Sequence, residues 1–253
     1  VKACLTSFVS GLANICNYYK CQAQWDMENR YIKNENMLTR EQNMSLRSKR
    51  ILVVGCGGLG GHIIEQLARL GIGHITAVDG DVFDETNLNR QLLARMDNIG
   101  KSKALAAKEH IQRVNPDINI ETLQVYLDEN NAEEITRGFD VICDALDNFS
   151  SRALLHKSAE ANEIPVVFGA IAGWYGQVAT IFPGDKILER LYRGEQDKGV
   201  EQNVGNPSFT PALIASIQVA EVLKILTGKG TLLCNRLLVI NTLEQEYEVL
   251  DFS

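Results

Sequence analysis

Residues 51–61 read ILVVGCGGLGG. Four apolar strand-formers run straight into a glycine cluster, and a helical stretch follows. Leu59, Ile63, Ile64, Leu67 and Leu70 recur at the three- and four-residue spacing of one helix face. Strand, glycine turn and helix together indicate a nucleotide phosphate. Gly55, Gly57 and Gly60 permit a tight turn, and the backbone N–H groups of the helix start, at Gly58 and Leu59, attract the anion. Asp79 ends the next strand, HITAVD (74–79), where a carboxylate accepts hydrogen bonds from ribose hydroxyls. These features fit a redox dinucleotide as well as they fit ATP.

Outward from this motif, strand and helix alternate. A helix over 101–115 is expected to turn Leu105, Ile111 and Val114 inward and to stop before Pro116, whose ring cannot continue it. INIETLQV (118–125) alternates as a strand, and Asp128 is placed to cap a short helix to Arg137. FDVICDAL (139–146) and IPVVFGAI (164–171) read as buried parallel strands around a helix near 150–162, and GQVATIF (176–182) follows without an intervening helix. Thr210 and Pro211 mark a helix start, cap then first turn, for a helix to about Thr227 stopped by Gly228. Its face Leu213, Ile217, Ala220, Val222, Leu223 and Leu226 reads as core or dimer contact. NRLLVINTLEQEYEVLDF (235–252) reads as a hairpin. The pattern predicts a Rossmann-like doubly wound α/β sheet, parallel in its N-terminal half and antiparallel in its C-terminal half. A loop rich in charge and glycine, 184–207, lies between the two halves.

Composition narrows the function. The net charge of −7 comes without a basic stripe, which speaks against nucleic acid. No uninterrupted apolar run reaches the roughly 18 residues of a membrane span. The six cysteines (4, 16, 21, 56, 143 and 234) form no C-x-x-C pair. That spacing suits the reduced thiols of a cytoplasmic protein and argues against a zinc site. Residues 1–26 read as an extension: a moderately apolar stretch interrupted by Ser7, Ser10, Gly11 and Asn14, with no A-x-A site after it. Translation is expected to start at Met27, where MENRYIKN opens an ordinary charged sequence.

Two further stretches separate ATP from a nicotinamide nucleotide. DGDVFDETNLNRQLL (79–93) and NIGKSKA (98–104) bring Asn87, Arg90 and Lys103 after the ribose acid. DALDNFSSR (144–152) puts Asp147 at the mouth of the fourth parallel strand, with Arg152 a turn later. A triphosphate needs cations around it and a carboxylate for Mg²⁺; nicotinamide binding needs neither at those points. Arg90 and Lys103 are suited to stabilise charge as an α-phosphate is attacked and pyrophosphate leaves. The competing reading is surface pairing with Asp81 and Asp84.

These pieces, with NPD (115–117), GAIAGWYGQV (169–178) and TPALIASIQVAEVLKILTG (210–228), occur in order over about residues 30–253. In that order they resemble the MoeB/ThiF/HesA family, the bacterial relatives of ubiquitin-activating enzymes. The resemblance implies a single ATP-binding adenylyltransferase domain over 27–253, acting as a homodimer. It implies ATP and Mg²⁺, and adenylation of the C-terminal glycine of a small ubiquitin-like sulfur-carrier protein ending Gly-Gly. An external sulfur donor would then take over the acyl-adenylate for thiamin, molybdopterin or related chemistry. It also implies roles: Asp79 on ribose, Asn87 and Arg90 on phosphates, Lys103 on phosphate near the reacting centre, and Asp147 on Mg²⁺. Asp81 and Gln91 belong to the same nucleotide-binding set.

The chain departs from that family in three places. Members often carry RYxRQ, whose second arginine reaches the partner subunit's ATP; here RYIKN (30–34) has Arg30 but Lys33 at that position. Lysine keeps the charge and loses the bidentate fork. The paired C-x-x-C zinc site is missing, and no cysteine lies between Cys143 and Cys234 to take the acyl group. Cys56 reads as packing inside the glycine loop. His62, His74, His110 and His156 share no metal-like spacing. Trp174 and Tyr175 either line a groove for the carrier's tail or pack in the core. Two other readings stay open: an NAD-dependent oxidoreductase, and a non-catalytic scaffold that binds the carrier.

Overall fold

Strand β1 (Arg50–Val54) is buried from Ile51 onward, because it lies inside a sheet covered on both faces. The computed structural model describes residues 29–191 and 204–253. It divides into two compact units, Val1–Met44 and Ser45–Ser253. In the first, a 3₁₀ turn, Ile32–Asn34, carries Lys33, which is exposed. Thr39 and Gln42 then cap each other reciprocally at the start of helix α1 (Arg40–Leu46): the Gln42 N–H donates to the Thr39 hydroxyl and the Thr39 N–H to the Gln42 Oε1.

The second unit is built on one eight-stranded sheet, ordered β3-β2-β1-β4-β5-β6-β7-β8. β1, β2 (His74–Val78), β3 (Asn119–Leu123), β4 (Val141–Asp144) and β5 (Val166–Ala172) are parallel. β6 (Tyr175–Ile181), β7 (Arg236–Asn241) and β8 (Glu246–Asp251) continue it antiparallel. This is the expected division into halves. The chain winds outward from β1 to β3 and then returns to place β4 on the other side of β1. The crevice beyond the carboxyl ends of β1 and β4 is therefore the topological switch point.

Helix α2 (Gly58–Leu70) follows β1 and ends at Gly71 in the left-handed conformation, a C-cap that glycine adopts without strain. α3 (Lys103–Val114), the single turn α4 (Ala132–Ile135), α5 (Phe149–Ala161), α6 (Ile187–Leu191) and α7 (Phe209–Thr227) complete the unit. Leu52, Val54, Val78, Ile142 and Val166 form one face of the sheet under Leu155 and Ala159 of α5. Phe168, Ala179, Ile181 and Leu237 form a second core with Ile187 of α6.

Several local expectations are corrected. In α3 the buried residues are Lys103, Ala104, Ala106, Ala107 and Ile111, whereas Leu105 faces solvent and Val114 is only partly covered. Alanines let α3 approach α2 and β3 closely, so the small residues rather than the leucine mark its inner face. Asp128 does accept the Asn130 and Asn131 N–H groups, but the helix after it is one turn and does not reach Arg137. Ser208, not Thr210, stands at the N-cap of α7; the buried Thr210 hydroxyl instead donates to the Gly173 carbonyl, 2.6 Å away.

The inner face of α7 is Ile214, Ala215, Gln218, Val219, Glu221 and Val222, so of the six residues read as core or dimer contact only Val222 belongs to the buried core. Gln218 donates to the carbonyls of Asp144 and Val167, and Glu221 accepts from the Thr180 hydroxyl and the Leu233 N–H. α7 has a mean hydropathy of 1.5 over a membrane-span window, although the sequence has no unbroken apolar run of that length. Its buried polar residues and its packing on α2, β5 and β6 make it a core helix of this fold.

Candidate nucleotide site

The glycine turn is shaped by backbone contacts that no side chain could share. Gly55 has φ +96°, and a Cβ on Gly60 would sit 1.8 Å from the Gly55 carbonyl oxygen. The start of α2 is thereby pressed against the end of β1. Its first N–H groups have no acceptor within the helix, and Gly57, Gly58 and Leu59 line the crevice. Asp79, just past β2, braces the turn from the other side: its carboxylate accepts the Cys56 N–H at 2.7 Å and the Asp81 N–H at 2.8 Å. Burial pushes the Asp79 carboxyl up, opposed by those two N–H groups and by the Lys103 charge. A carboxylate has about four acceptor sites, so two remain for hydroxyl donors.

The crevice is a cavity of about 400 Å³. Its glycine wall is Gly55, Gly57, Gly58 and Leu59; Asp79, Asp81, Arg90, Gln91, Lys103 and Asp147 line it as well, with Val125, Leu127 and Leu146 supplying apolar surface. Lys103, the first residue of α3, is buried, and its ammonium donates to Asp81 Oδ2 at 2.9 Å. The surface pairing weighed from sequence is thus present, but inside the cavity wall. Arg90 donates to the Thr86 carbonyl and to the Asn89 side chain through one nitrogen. Asp147 is exposed at the cavity edge, one residue before Asn148, whose side chain caps α5 by accepting the Ser151 N–H. Asn87 and Gly60 do not line the cavity. Asn87 closes the 84–87 turn by accepting the Asp84 N–H, and so holds the loop that presents Arg90.

Whether these residues suit a bound nucleotide can be asked of the wall itself. The side-chain oxygens of Gln91 and Asn206 are buried with no hydrogen-bond partner among the described residues, and both residues line the cavity. Whichever way each amide is turned, a polar atom is left for a ligand. Acceptor, cations, apolar surface and free amide atoms share one cavity, and that set fits a nucleoside polyphosphate. Among the described residues no group of three or more His, Cys, Asp or Glu is disposed to hold a metal. Mg²⁺ bound with phosphates requires only one or two protein carboxylates.

One cluster was not anticipated. Asp144, the last residue of β4, is fully buried and accepts from Arg152 at 3.3 Å, His156 Nε2 at 3.0 Å and the Leu146 N–H at 3.0 Å. Arg152 also donates to the Leu146 carbonyl and lies 4.8 Å over the Phe168 ring. Burial would raise the Asp144 carboxyl, but the Arg152 charge and the His156 hydrogen bond outweigh it, so the group is held below the ordinary aspartate value. The cluster clamps the 145–148 turn that carries Asp147. Its sequence signal was an arginine and a histidine four residues apart on a helix, eight and twelve residues after an acid at a strand end.

The family model described as "ThiF family" matches residues 29–253. The chain belongs to the ThiF family. Its ThiF relatives include the SAMP-activating enzyme E1 of Haloferax volcanii, 34% identical over 210 residues that cover 82% of this chain and 78% of that one. The sulfur carrier protein adenylyltransferase of Thermus thermophilus is 34% identical over 214 residues, covering 81% and 79%. Some curated ThiF relatives are longer, and the chain matches 54% of their length. Among solved structures, the ThiF-type fold is shared with PaaA at a TM-score of 0.75 and 21% identity, covering 90% of this chain and 74% of that one.

The thiols and the aromatics complete the picture. Cys56 and Cys143 are buried, and burial pushes both thiols well up, Cys56 further so through Asp79 and Cys143 through Asp144. Cys234 is partly exposed and donates to Asp185 at 3.6 Å; burial and that carboxylate raise it too. Tyr175 lines the cavity, while Trp174 packs its ring on Phe209 with centroids 4.9 Å apart. Both keep nearly half of their surface exposed. The extension 1–26 and half of the charged loop 184–207, residues 192–203, lie outside the described residues.

Proposed function

We propose that this protein adenylates the C-terminal glycine of a small ubiquitin-like sulfur-carrier protein, using ATP with Mg²⁺ and releasing pyrophosphate. The observation that carries the reading is the switch-point cavity itself: Asp79, Arg90, Lys103 and Asp147 surround one glycine turn, a set that nicotinamide chemistry does not require. Family membership and the names of the Haloferax and Thermus relatives support it.

The nucleophile belongs to the carrier, so the enzyme works by positioning and charge stabilisation. Asp79 orients ribose, and the N–H groups of Gly58 and Leu59 receive phosphate oxygens. Lys103 and Arg90 offset charge as the carrier's carboxylate oxygen bonds to the α-phosphorus and the bond to the departing pyrophosphate breaks. Asp147 would hold the metal, which neutralises phosphate charge when bound. Residues 27–253 are taken as one family domain, acting in the cytoplasm as a homodimer without zinc, with Lys33 offered to the partner subunit's site. The partly buried flank of α7, Leu213, Ile217, Leu223 and Leu226, is the apolar surface available for dimer contact.

The test is carrier-dependent ATP–pyrophosphate exchange by the purified protein, with a Gly-Gly-ending carrier as substrate. Exchange supports the reading; tight NAD binding with no ATP–Mg²⁺ binding overturns it. Sedimentation as a strict monomer at working concentration would overturn the dimer.

A further inference from the structure

Asp81 grips Lys103 twice. The Lys103 N–H donates to the Asp81 carbonyl at 3.0 Å, and the Lys103 ammonium donates to Asp81 Oδ2 at 2.9 Å. The other carboxylate oxygen, Oδ1, accepts the Tyr126 hydroxyl at 2.6 Å. Tyr126 follows β3, and its ring lies flat against Gly80, where a Cβ would meet it at 2.8 Å. Asp81 is in turn tied to Asp79, whose Oδ1 accepts its N–H at 2.8 Å. One connected chain of hydrogen bonds therefore runs from the ribose acid to the phosphate cation, and Tyr126 closes its outer corner.

Lys103 stands at the N-terminus of α3, where the helix dipole disfavours a cation. Its ammonium is nearly covered, so its direction depends on its partner, Asp81. The Asp81 side chain is half exposed and would rotate freely without a second hold. Tyr126 supplies that hold. The hydroxyl is the right kind of group: the Asp81 carboxylate pushes its titration up, so it stays an O–H donor, and Asp81 is held below the ordinary carboxylate range by Tyr126 and Lys103 against the opposing effect of burial. An ammonium has three N–H donors, and the bond to Asp81 uses one, so the others are available to a phosphate.

We propose that Tyr126 is a positioning residue of the nucleotide site: by fixing Asp81 it aims the Lys103 ammonium at the phosphates. This rests on the ATP reading above, and it concerns the phosphate end alone. Calorimetric titration of the full chain with ATP–Mg²⁺ and, separately, with adenosine tests it. Tyr126→Phe keeps the ring on Gly80 and removes only the hydroxyl. It should weaken ATP binding about tenfold, the low end of what one lost hydrogen bond to a charged group costs, and leave adenosine affinity within about twofold. In a Lys103→Met background the same substitution should have no further effect on ATP, because the residue through which it acts is gone. Equal weakening of adenosine and ATP, no change in either, or additive effects of Tyr126→Phe and Lys103→Met would each overturn the proposal. A parent protein that binds neither ligand would instead overturn the nucleotide reading on which it rests. Tyr126 is mostly exposed, so the variant does not threaten the fold.

Discussion

Arg152→Met isolates the buried cluster beneath the turn that carries Asp147. Asp144 has no solvent exposure, and Arg152 is its permanent cationic partner. Removing one member of a buried pair leaves an uncompensated charge and typically costs about 3–5 kcal/mol. The lost contact with the Phe168 ring adds about 1 kcal/mol at a desolvated site. His156, 3.0 Å from the same carboxylate oxygen, offsets part of this, so a net loss of roughly 3 kcal/mol is expected. At a urea dependence of about 2 kcal/mol/M, the unfolding midpoint should fall by about 1.5 M. Urea denaturation followed by circular dichroism measures it.

The double variant Asp144→Asn/Arg152→Met removes both charges and should recover about half of that loss, since the penalty comes from the orphaned charge more than from the missing pair. An acid titration gives an independent check. Asp144 is held below the ordinary aspartate value of 3.8, so its contribution is fully present above that pH and is lost as pH falls through the lower folded-state value. Without Arg152 the depression shrinks, and acid unfolding should begin at a higher pH. An Arg152→Met protein within about 1 kcal/mol of its parent, or a double variant no more stable than the single, would refute the account.

Three other outcomes are expected. Gly60→Ala should lower both thermal stability and ATP affinity: the roughly 1 kcal/mol gained in helix propensity is outweighed by a Cβ placed 1.8 Å from a backbone oxygen that cannot move away, and a variant that melts and binds like the parent would contradict this. Asp147→Ala should reduce pyrophosphate exchange about a hundredfold while Asp79→Ala chiefly weakens nucleotide binding; near-normal exchange by both Asp147→Ala and Arg90→Ala would reject the site assignment. Incubation with ATP and carrier, followed by non-reducing mass spectrometry, should show carrier–AMP without an enzyme–carrier conjugate, because burial and Asp185 disfavour the Cys234 thiolate. A thiol-sensitive conjugate lost in Cys234→Ser would overturn that.

The parts of this fold that were legible in the sequence are those where backbone chemistry leaves one choice. The glycine turn after β1 needs a positive φ at Gly55 and no side chain at Gly60, and both requirements are visible as residue types. The change from parallel to antiparallel at β5 and β6 follows from the short turn that joins them, which leaves no room for a crossover helix. What stayed hidden depends on which of several equivalent faces is turned inward. α7 is apolar nearly all round, so periodicity could not choose between the flank containing Leu213 and Leu226 and the one that is buried. The deciding residues were polar: Gln218 and Glu221 face inward because carbonyls of β4 and β5, the Thr180 hydroxyl and the Leu233 N–H await them there. The same holds at the site. Asp79 and Lys103 stand in motifs, but the links between them, Asp81 to Lys103 and Tyr126 to Asp81, span 22 and 45 residues of sequence. A buried acid such as Asp144 looks in sequence like any strand-end aspartate until Arg152 and His156 are seen to converge on it. Polar pairing across elements is set by three-dimensional proximity, and the local pattern carries little trace of it.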